Sequence, residues 1–191
     1  MKASKIILAA MLLTNTVAAQ EVTPEVDRGI HSVKQDKFDF NAEIRDFDKA
    51  GELLLTYKNI SADWIRADAD KNFFKLKFSR EIFSLMGTGV DWHVALNGVD
   101  SARKSFVALP SVGINLYARI RPRLDFYLQF SGLPFGRRAH VADFEVGLKY
   151  FPRKNFSLSA GWREVSVKRR RGGEVNDFGR SGAFVGVRAD F

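Results

Sequence analysis

The last eleven residues of the chain, Ser181-Gly182-Ala183-Phe184-Val185-Gly186-Val187-Arg188-Ala189-Asp190-Phe191, decide the fold. Alternate side chains of a strand point to opposite faces. One face of this stretch would therefore hold Phe191, Ala189, Val187, Val185 and Ala183. The other would hold Asp190, Arg188, Gly186, Phe184 and Gly182. A strand with an apolar face and an open edge needs a partner that pairs with it and covers it. We therefore expect this closing strand to complete a sheet.

The same alternation of apolar and polar residues recurs through the chain upstream of the closing strand. Including that strand, it is found near residues 52–64, 72–83, 88–97, 107–120, 123–132, 141–151, 156–167 and 181–191. These stretches predict an all-β protein with eight antiparallel strands in up-and-down order. A further alternation at 38–45 could form one more strand, which would need another strand as its partner. The alternative prediction is therefore ten strands.

The connections between the predicted strands of the second half alternate in length. Those at 121–123 and 152–155 are short, whereas those at 132–140 and 168–180 are long. Outer-membrane barrels have short periplasmic turns and longer extracellular loops. The pattern therefore favours a transmembrane β-barrel over a soluble sandwich, with both chain ends in the periplasm and residues 168–180 outside.

The N-terminal residues have the three-part pattern of a cleaved secretory signal. Lys2 and Lys5 precede a short apolar run, and Val17-Ala18-Ala19 offers small residues before Gln20. We expect residues 1–19 to be the signal peptide, 20–50 a periplasmic segment with a possible extra strand, and 51–191 the barrel. Loss of Lys2 and Lys5 would lower the formal charge from +8 by two, to +6. An exported basic protein fits anionic lipid better than nucleic acid.

Charged residues on the polar face of the strands are expected inside the barrel. An eight-stranded barrel is just wide enough for side chains to fill it. Because both signs of charge are present, they can pair and plug the lumen. The residues of this predicted lumen network are Arg119, Asp125, Asp143, Glu145, Lys149, Arg188 and Asp190.

Two groups of basic residues lie in the predicted extracellular loops. Arginine binds phosphate through two parallel hydrogen bonds, so these loops could contact lipopolysaccharide phosphates; they could equally be solvated loops that interact with no lipid. The residues are Arg137, Arg138, Lys168, Arg169, Arg170 and Arg171.

Candidate catalytic and metal-binding residues are few. The chain has no cysteine and three histidines. His93 follows Asp91 on one face of a strand, and His140 lies in a loop, which leaves a lipid A-modifying enzyme as a weak alternative. Two usefully placed histidines do not make a metal ligand set. We expect no catalytic residue, no metal and no cofactor.

Residues 107–191 resemble the C-terminal half of a family of short, uncharacterised outer-membrane β-barrel proteins of Gram-negative bacteria. The resemblance is carried by Asp143-Phe144-Glu145-Val146-Gly147-Leu148-Lys149-Tyr150, by Leu158-Ser159-Ala160-Gly161-Trp162-Arg163, by Leu109-Pro110-Ser111-Val112-Gly113-Ile114-Asn115-Leu116-Tyr117-Ala118 and by the closing strand. More loosely, the chain is similar to small eight-stranded barrels of the membrane-anchor and small-solute types. The resemblance implies an outer-membrane location and a final Phe191 that the barrel-assembly machinery reads. It implies no catalytic residues, and the basic last loop departs from the acidic loops of that family.

These observations predict an integral outer-membrane barrel with a structural, envelope or surface-interaction role. The alternative is a narrow channel for small solutes. The expected partners are outer-membrane lipid, lipopolysaccharide and the assembly machinery, with no nucleic acid, and we expect a monomer.

Overall fold

The structure is a computed structural model that describes residues 40–48, 50–68, 71–101, 104–133, 139–171 and 174–191. These residues form β1 (Phe40–Phe47), β2 (Ala50–Tyr57), β3 (Ile60–Asp68), β4 (Lys71–Leu85), β5 (Thr88–Ser101), β6 (Lys104–Arg121), β7 (Leu124–Gly132), β8 (Ala139–Arg153), β9 (Phe156–Arg171) and β10 (Glu174–Asp190). Each strand pairs antiparallel with the next, and β10 pairs with β1 to close the barrel. The expected signal peptide, residues 1–19, lies outside the described residues.

The closed antiparallel barrel is confirmed, but the prediction of eight strands is wrong and the alternative of ten is right. The predicted strand at 52–64 is two strands, β2 and β3, joined at Lys58 and Asn59. Lys58 has a left-handed φ of 52°. A turn without glycine or proline carries little sequence signal, so the split was missed. The tenth strand is β1, so the barrel wall begins at Phe40 and not at Gly51.

The closing strand pairs with β1, which settles which upstream segment completes the sheet. The register runs from Asn41 opposite Asp190 to Phe47 opposite Phe184. Beyond the last pair, the Phe191 amide donates a hydrogen bond of 2.9 Å to the Phe40 carbonyl. The pairing therefore uses the predicted extra strand at 38–45.

The two ends of the barrel differ in which connections they carry. At the proximal rim, where β1 begins and β10 ends, residues 58–59, 86–87, 122–123 and 154–155 join the strands. At the distal rim, two residues join each of four strand pairs, and residues 133–138 form the longer connection between β7 and β8. The predicted long loop at 168–180 is wrong, because β9 and β10 pair up to Arg171 opposite Glu174. The polar residues of this segment belong to the paired strands of the β9–β10 hairpin.

Side chains on the two faces of the wall follow the predicted alternation. The outer face is apolar on all sides, with exposed residues that include Leu55, Phe78, Leu96, Ile114, Leu116, Leu148, Leu158, Trp162 and Val185. Trp64 of β3 and Phe74 of β4 stack on this face with ring centroids 6.3 Å apart. In the part of the chain that the structure describes, there is no helix long and apolar enough to cross a membrane.

The interior has an apolar layer that the sequence reading did not predict. The layer comprises Phe47, Ala50, Ile65, Phe73, Val99, Val107, Leu109, Val141, Val165, Val167, Phe178 and Phe184. Most of these residues lie within a few positions of a distal connection, so the layer fills the lumen at that rim. Phe73 and Phe178 stack there with centroids 5.3 Å apart. The lumen is therefore sealed by hydrophobic packing at one end and is polar elsewhere.

Two inward-facing glycines, Gly147 of β8 and Gly161 of β9, allow close backbone packing. They are register partners, and a Cβ on Gly161 would lie 2.2 Å from the Val146 carbonyl oxygen and 2.7 Å from the Gly147 Cα. We expect Gly161→Ala to lower the free energy of unfolding by about 1–3 kcal/mol, because the backbone must shift. Urea titration followed by tryptophan fluorescence measures this. Gly179→Ala is the control, because a Cβ there has nothing within 4 Å; an equal loss in both variants would contradict the packing argument.

Candidate functional site

Arg163 of β9 is the centre of a buried network of charges inside the barrel. Its Nη2 donates hydrogen bonds of 2.7 Å to Asp63 Oδ2 and 2.9 Å to Asp143 Oδ2, and its Nε donates one of 3.1 Å to Asp143 Oδ1. Its Nη1 donates to Glu52 Oε1. The planar guanidinium has five donors in a fixed arrangement, so one side chain can join β2, β3 and β8 across the lumen.

Two further cations extend this network. Arg45 donates hydrogen bonds of 2.7 Å from Nε to Glu43 Oε1 and from Nη1 to Glu145 Oε1. Lys75 Nζ donates to Asp143 Oδ2 at 2.7 Å. The carboxylates also accept from neutral groups, since the Ser159 hydroxyl donates to Glu43 Oε1 at 2.6 Å and the Tyr127 hydroxyl to Glu145 Oε1 at 2.8 Å.

Almost no part of this network reaches solvent. The side chains of Arg163, Glu52 and Asp143 have relative exposures of 2%, 0% and 0%. Charges buried this deeply must be paired and hydrogen-bonded, and the contacts cross the lumen between strands far apart in sequence. The network and the apolar layer beside it together close the barrel interior.

Between the network and the proximal rim lies a polar cavity of about 180 Å³. Its wall contains Asn41 and Thr56, which lie near the start of β1 and the end of β2, and the neutral side chains Tyr127 and Gln129 of β7. Six basic and three acidic side chains complete its charged lining: Arg45, Lys75, Lys77, Lys149, Arg163 and Arg188, with Glu43, Asp63 and Glu145.

The structure distributes the seven residues of the predicted lumen network over separate places. Asp143 and Glu145 lie in the buried network, and Lys149 lies at the cavity with its Nζ 3.6 Å from Glu43 Oε2. The other four form two local pairs toward the proximal rim. Arg119 Nε is 3.1 Å from Asp125 Oδ1, and Arg188 Nη2 is 2.7 Å from Asp190 Oδ1.

The sequence reading missed most of the network that the structure brings together. The residues missed are Glu43, Arg45, Glu52, Asp63, Lys75 and Arg163. Each of the six has an apolar residue on at least one side in its strand; Lys75, for example, lies between Phe74 and Leu76. Because alternate residues of a strand face opposite sides, this position next to apolar residues could have assigned them to the inner face. Their contacts with one another depend on the closure of β1 against β10, which alternation does not specify.

Four of the predicted phosphate-contacting residues, Lys168, Arg169, Arg170 and Arg171, lie at the distal end of β9. Lys168 is exposed, and its register partners are His140 of β8 and Asp177 of β10. Arg169 is half-buried and pairs with Ala139. Arg170 and Arg171 belong to β9, opposite Val175 and Glu174. Arg137 and Arg138 lie outside the described residues.

The candidate histidines lie apart from each other. His93 is fully buried on the inner face of β5, and neither ring nitrogen has a hydrogen-bond partner among the described residues, so the suggested pair with Asp91 is not formed. His140 is exposed near the distal rim. Within the described part of the chain, no group of three or more His, Asp or Glu side chains could hold a metal ion.

Comparison of the chain with protein-family models, curated proteins and solved structures found no match.

Proposed function

We propose that the chain is an integral outer-membrane β-barrel with a structural, envelope or surface-interaction role and a closed lumen. The observation that carries the proposal is the distribution of polarity across the wall. Large apolar side chains cover the outer face, while carboxylates, lysines and arginines are buried inside. Soluble proteins rarely expose such continuous apolar surface. A transmembrane barrel has this arrangement, with an apolar outer band and a polar interior.

The orientation proposed for the barrel follows from its two rims. Bacterial barrels carry their short turns on the periplasmic side and their longer loops outside. Four of the five distal connections are as short as the proximal ones, so the proposed orientation rests on the longer connection at 133–138, which lies at the distal rim. The proximal rim would face the periplasm. Lys168 and Arg169, near the distal rim, would lie on the extracellular side of the membrane, near lipopolysaccharide phosphates. Phe191, paired to Phe40 and more than half exposed, would be the residue that the assembly machinery reads. We propose a monomeric protein.

Membrane fractionation combined with heat-modifiable gel migration tests this proposal. We expect the protein in the outer-membrane fraction and a different apparent size before and after boiling, because a closed barrel resists unfolding by detergent. Recovery in the soluble periplasmic fraction, with migration unchanged by boiling, would refute it.

A narrow solute channel is the second candidate, favoured by the polar cavity that reaches toward the proximal rim. The apolar layer at the distal rim opposes it. In planar lipid bilayers we therefore expect no stepwise conductance from the purified barrel. Discrete conductance steps that disappear in protein-free controls would contradict the closed-lumen proposal and support a channel.

A further inference from the structure

We propose that the lumen cavity binds a small oxyanion, a phosphate or a carboxylate group, that enters from the proximal rim. Six basic side chains face the cavity against three carboxylates. Three further carboxylates, Glu52, Asp143 and Asp190, pair with some of these cations from outside the lining, so the excess of positive charge is local to the cavity wall. The apolar layer closes the distal side, which leaves the proximal rim as the route of entry.

The carboxylates of the lining are already engaged by other protein groups. Glu43 accepts hydrogen bonds from Arg45 and Ser159. Glu145 accepts from Arg45 and Tyr127. Asp63 accepts from Arg163 through Oδ2. Glu52 and Asp143, which lie behind the lining, are held by Arg163 and Lys75. The carboxylates of the interior are therefore hydrogen-bonded mainly to groups of the buried network.

Lys77 of β4 is the first lysine available to an anion. Its Nζ donates a hydrogen bond of 2.8 Å to the neutral Gln129 Oε1, and no ion pair found among the described residues includes it. An ammonium has three donors, so two remain for a ligand. Taking a cation out of water without a counter-charge is unfavourable, and a bound anion would supply that counter-charge.

Lys149 of β8 is the second lysine available to an anion. Its Nζ is 3.6 Å from Glu43 Oε2, whereas Arg45 approaches the same carboxylate at 2.7 Å. The Lys149 ammonium also lies 5.6 Å from the centroid of the Tyr127 ring. Lys149 is therefore the weaker partner in a shared ion pair, and it can turn toward an anion while Glu43 stays paired.

The size of the cavity restricts the ligand. A cavity of about 180 Å³ has room for several water molecules. Such a space accommodates an inorganic oxyanion or a short carboxylate with some retained water. A complete lipid or oligosaccharide is larger than this space.

Titration calorimetry of the full-length barrel refolded in zwitterionic detergent, with inorganic phosphate as the probe at constant ionic strength, tests the inference. We expect saturable binding, and Lys77→Gln and Lys149→Gln should each weaken it by about tenfold or more, the usual effect of losing a hydrogen bond to a charged group. Arg66→Gln is the matched control, because Arg66 is exposed on the outer face of β3, and it should bind phosphate like the parent. Acetate in a second titration distinguishes a preference for carboxylate from one for phosphate.

The inference would be overturned if neither anion bound saturably, or if Arg66→Gln weakened binding as much as the lumen variants. Amide NMR shifts provide a second readout if a lumen variant does not fold: the parent should show phosphate-dependent shifts in β4, β7 and β8 and none near Arg66. Shifts confined to the distal rim would also overturn it. Because the barrel is studied in detergent, the result is independent of the cellular location proposed above.

Discussion

Replacement of Arg163 by methionine is expected to lower the free energy of unfolding by about 3–5 kcal/mol, the usual effect of removing one partner from a buried charge network. Arg163 contacts Glu52, Asp63 and Asp143 inside the barrel. Without it, Asp63 loses the one cation that the structure places within ion-pair distance among the described residues, while Asp143 keeps Lys75. The methionine fills part of the volume of the arginine side chain. The loss of stability is therefore caused more by the unpaired charge of Asp63 than by an empty cavity.

Urea titration in lipid vesicles measures this effect through the three tryptophans, Trp64, Trp92 and Trp162, all of which are exposed on the outer face. Arg66→Met is the matched control, since Arg66 is exposed on the outer face of β3, and we expect a change within about 0.5 kcal/mol. Asp63→Asn added to Arg163→Met should recover part of the loss, because it neutralises the stranded carboxylate. If Arg163→Met were as stable as the parent, the buried network would not hold the strands together.

Replacement of Val146 by arginine is expected to impair insertion and to lower the stability of the inserted barrel by about 2–4 kcal/mol, the penalty for arginine at the bilayer midplane. Val146 is half-buried on the apolar outer face of β8 and lies at the middle of that strand. Its register partners, Leu128 of β7 and Trp162 of β9, place no carboxylate beside it. The substitution therefore places a charge in the middle of the proposed lipid-facing band.

His140→Arg provides the depth control for this prediction. His140 is exposed on the same face of the same strand, six residues nearer to the distal rim, where the penalty should fall to about 0–1 kcal/mol. Refolding yield into vesicles, and stability against urea in them, compare the two variants. If both refold like the parent, the outer face does not contact the bilayer core and the membrane proposal fails. If both fail equally, the defect is in strand pairing and not in membrane depth.

The lumen is closed by two different kinds of interaction. The buried ion pairs join strands that are distant in sequence, as Arg45 of β1 and Glu145 of β8 show, and their geometry is directional. The apolar layer at the distal rim needs only shape and volume. A substitution that neutralises part of the charge network therefore leaves the distal layer in place, so we expect Arg163→Met to change stability without opening a conducting path.

The sequence reading predicted local structure well where alternation is regular and turns are marked. The strands β7, β8 and β9 were expected near their observed positions, because Pro122 lies in one turn between apolar runs and Pro152 lies two residues before the other. It failed at Lys58 and Asn59, which turn the chain without glycine or proline. It also failed at 168–180, where polar residues on a paired hairpin have the composition of a loop.

Which side chains share a face follows from local sequence, because alternate residues of a strand point to opposite sides: Asp143 and Glu145 had to lie opposite Phe144 whatever the final fold. Which of these side chains meet depends on the closed barrel. The pairing of β10 with β1 places Glu43 and Arg45 beside a lumen that also receives Glu145 and Arg163. Contacts across a closed barrel depend on strand number and register together, and two additional strands change both. That is why the charged interior was predicted, but the network centred on Arg163, the apolar distal layer and the cavity beside Lys77 were not.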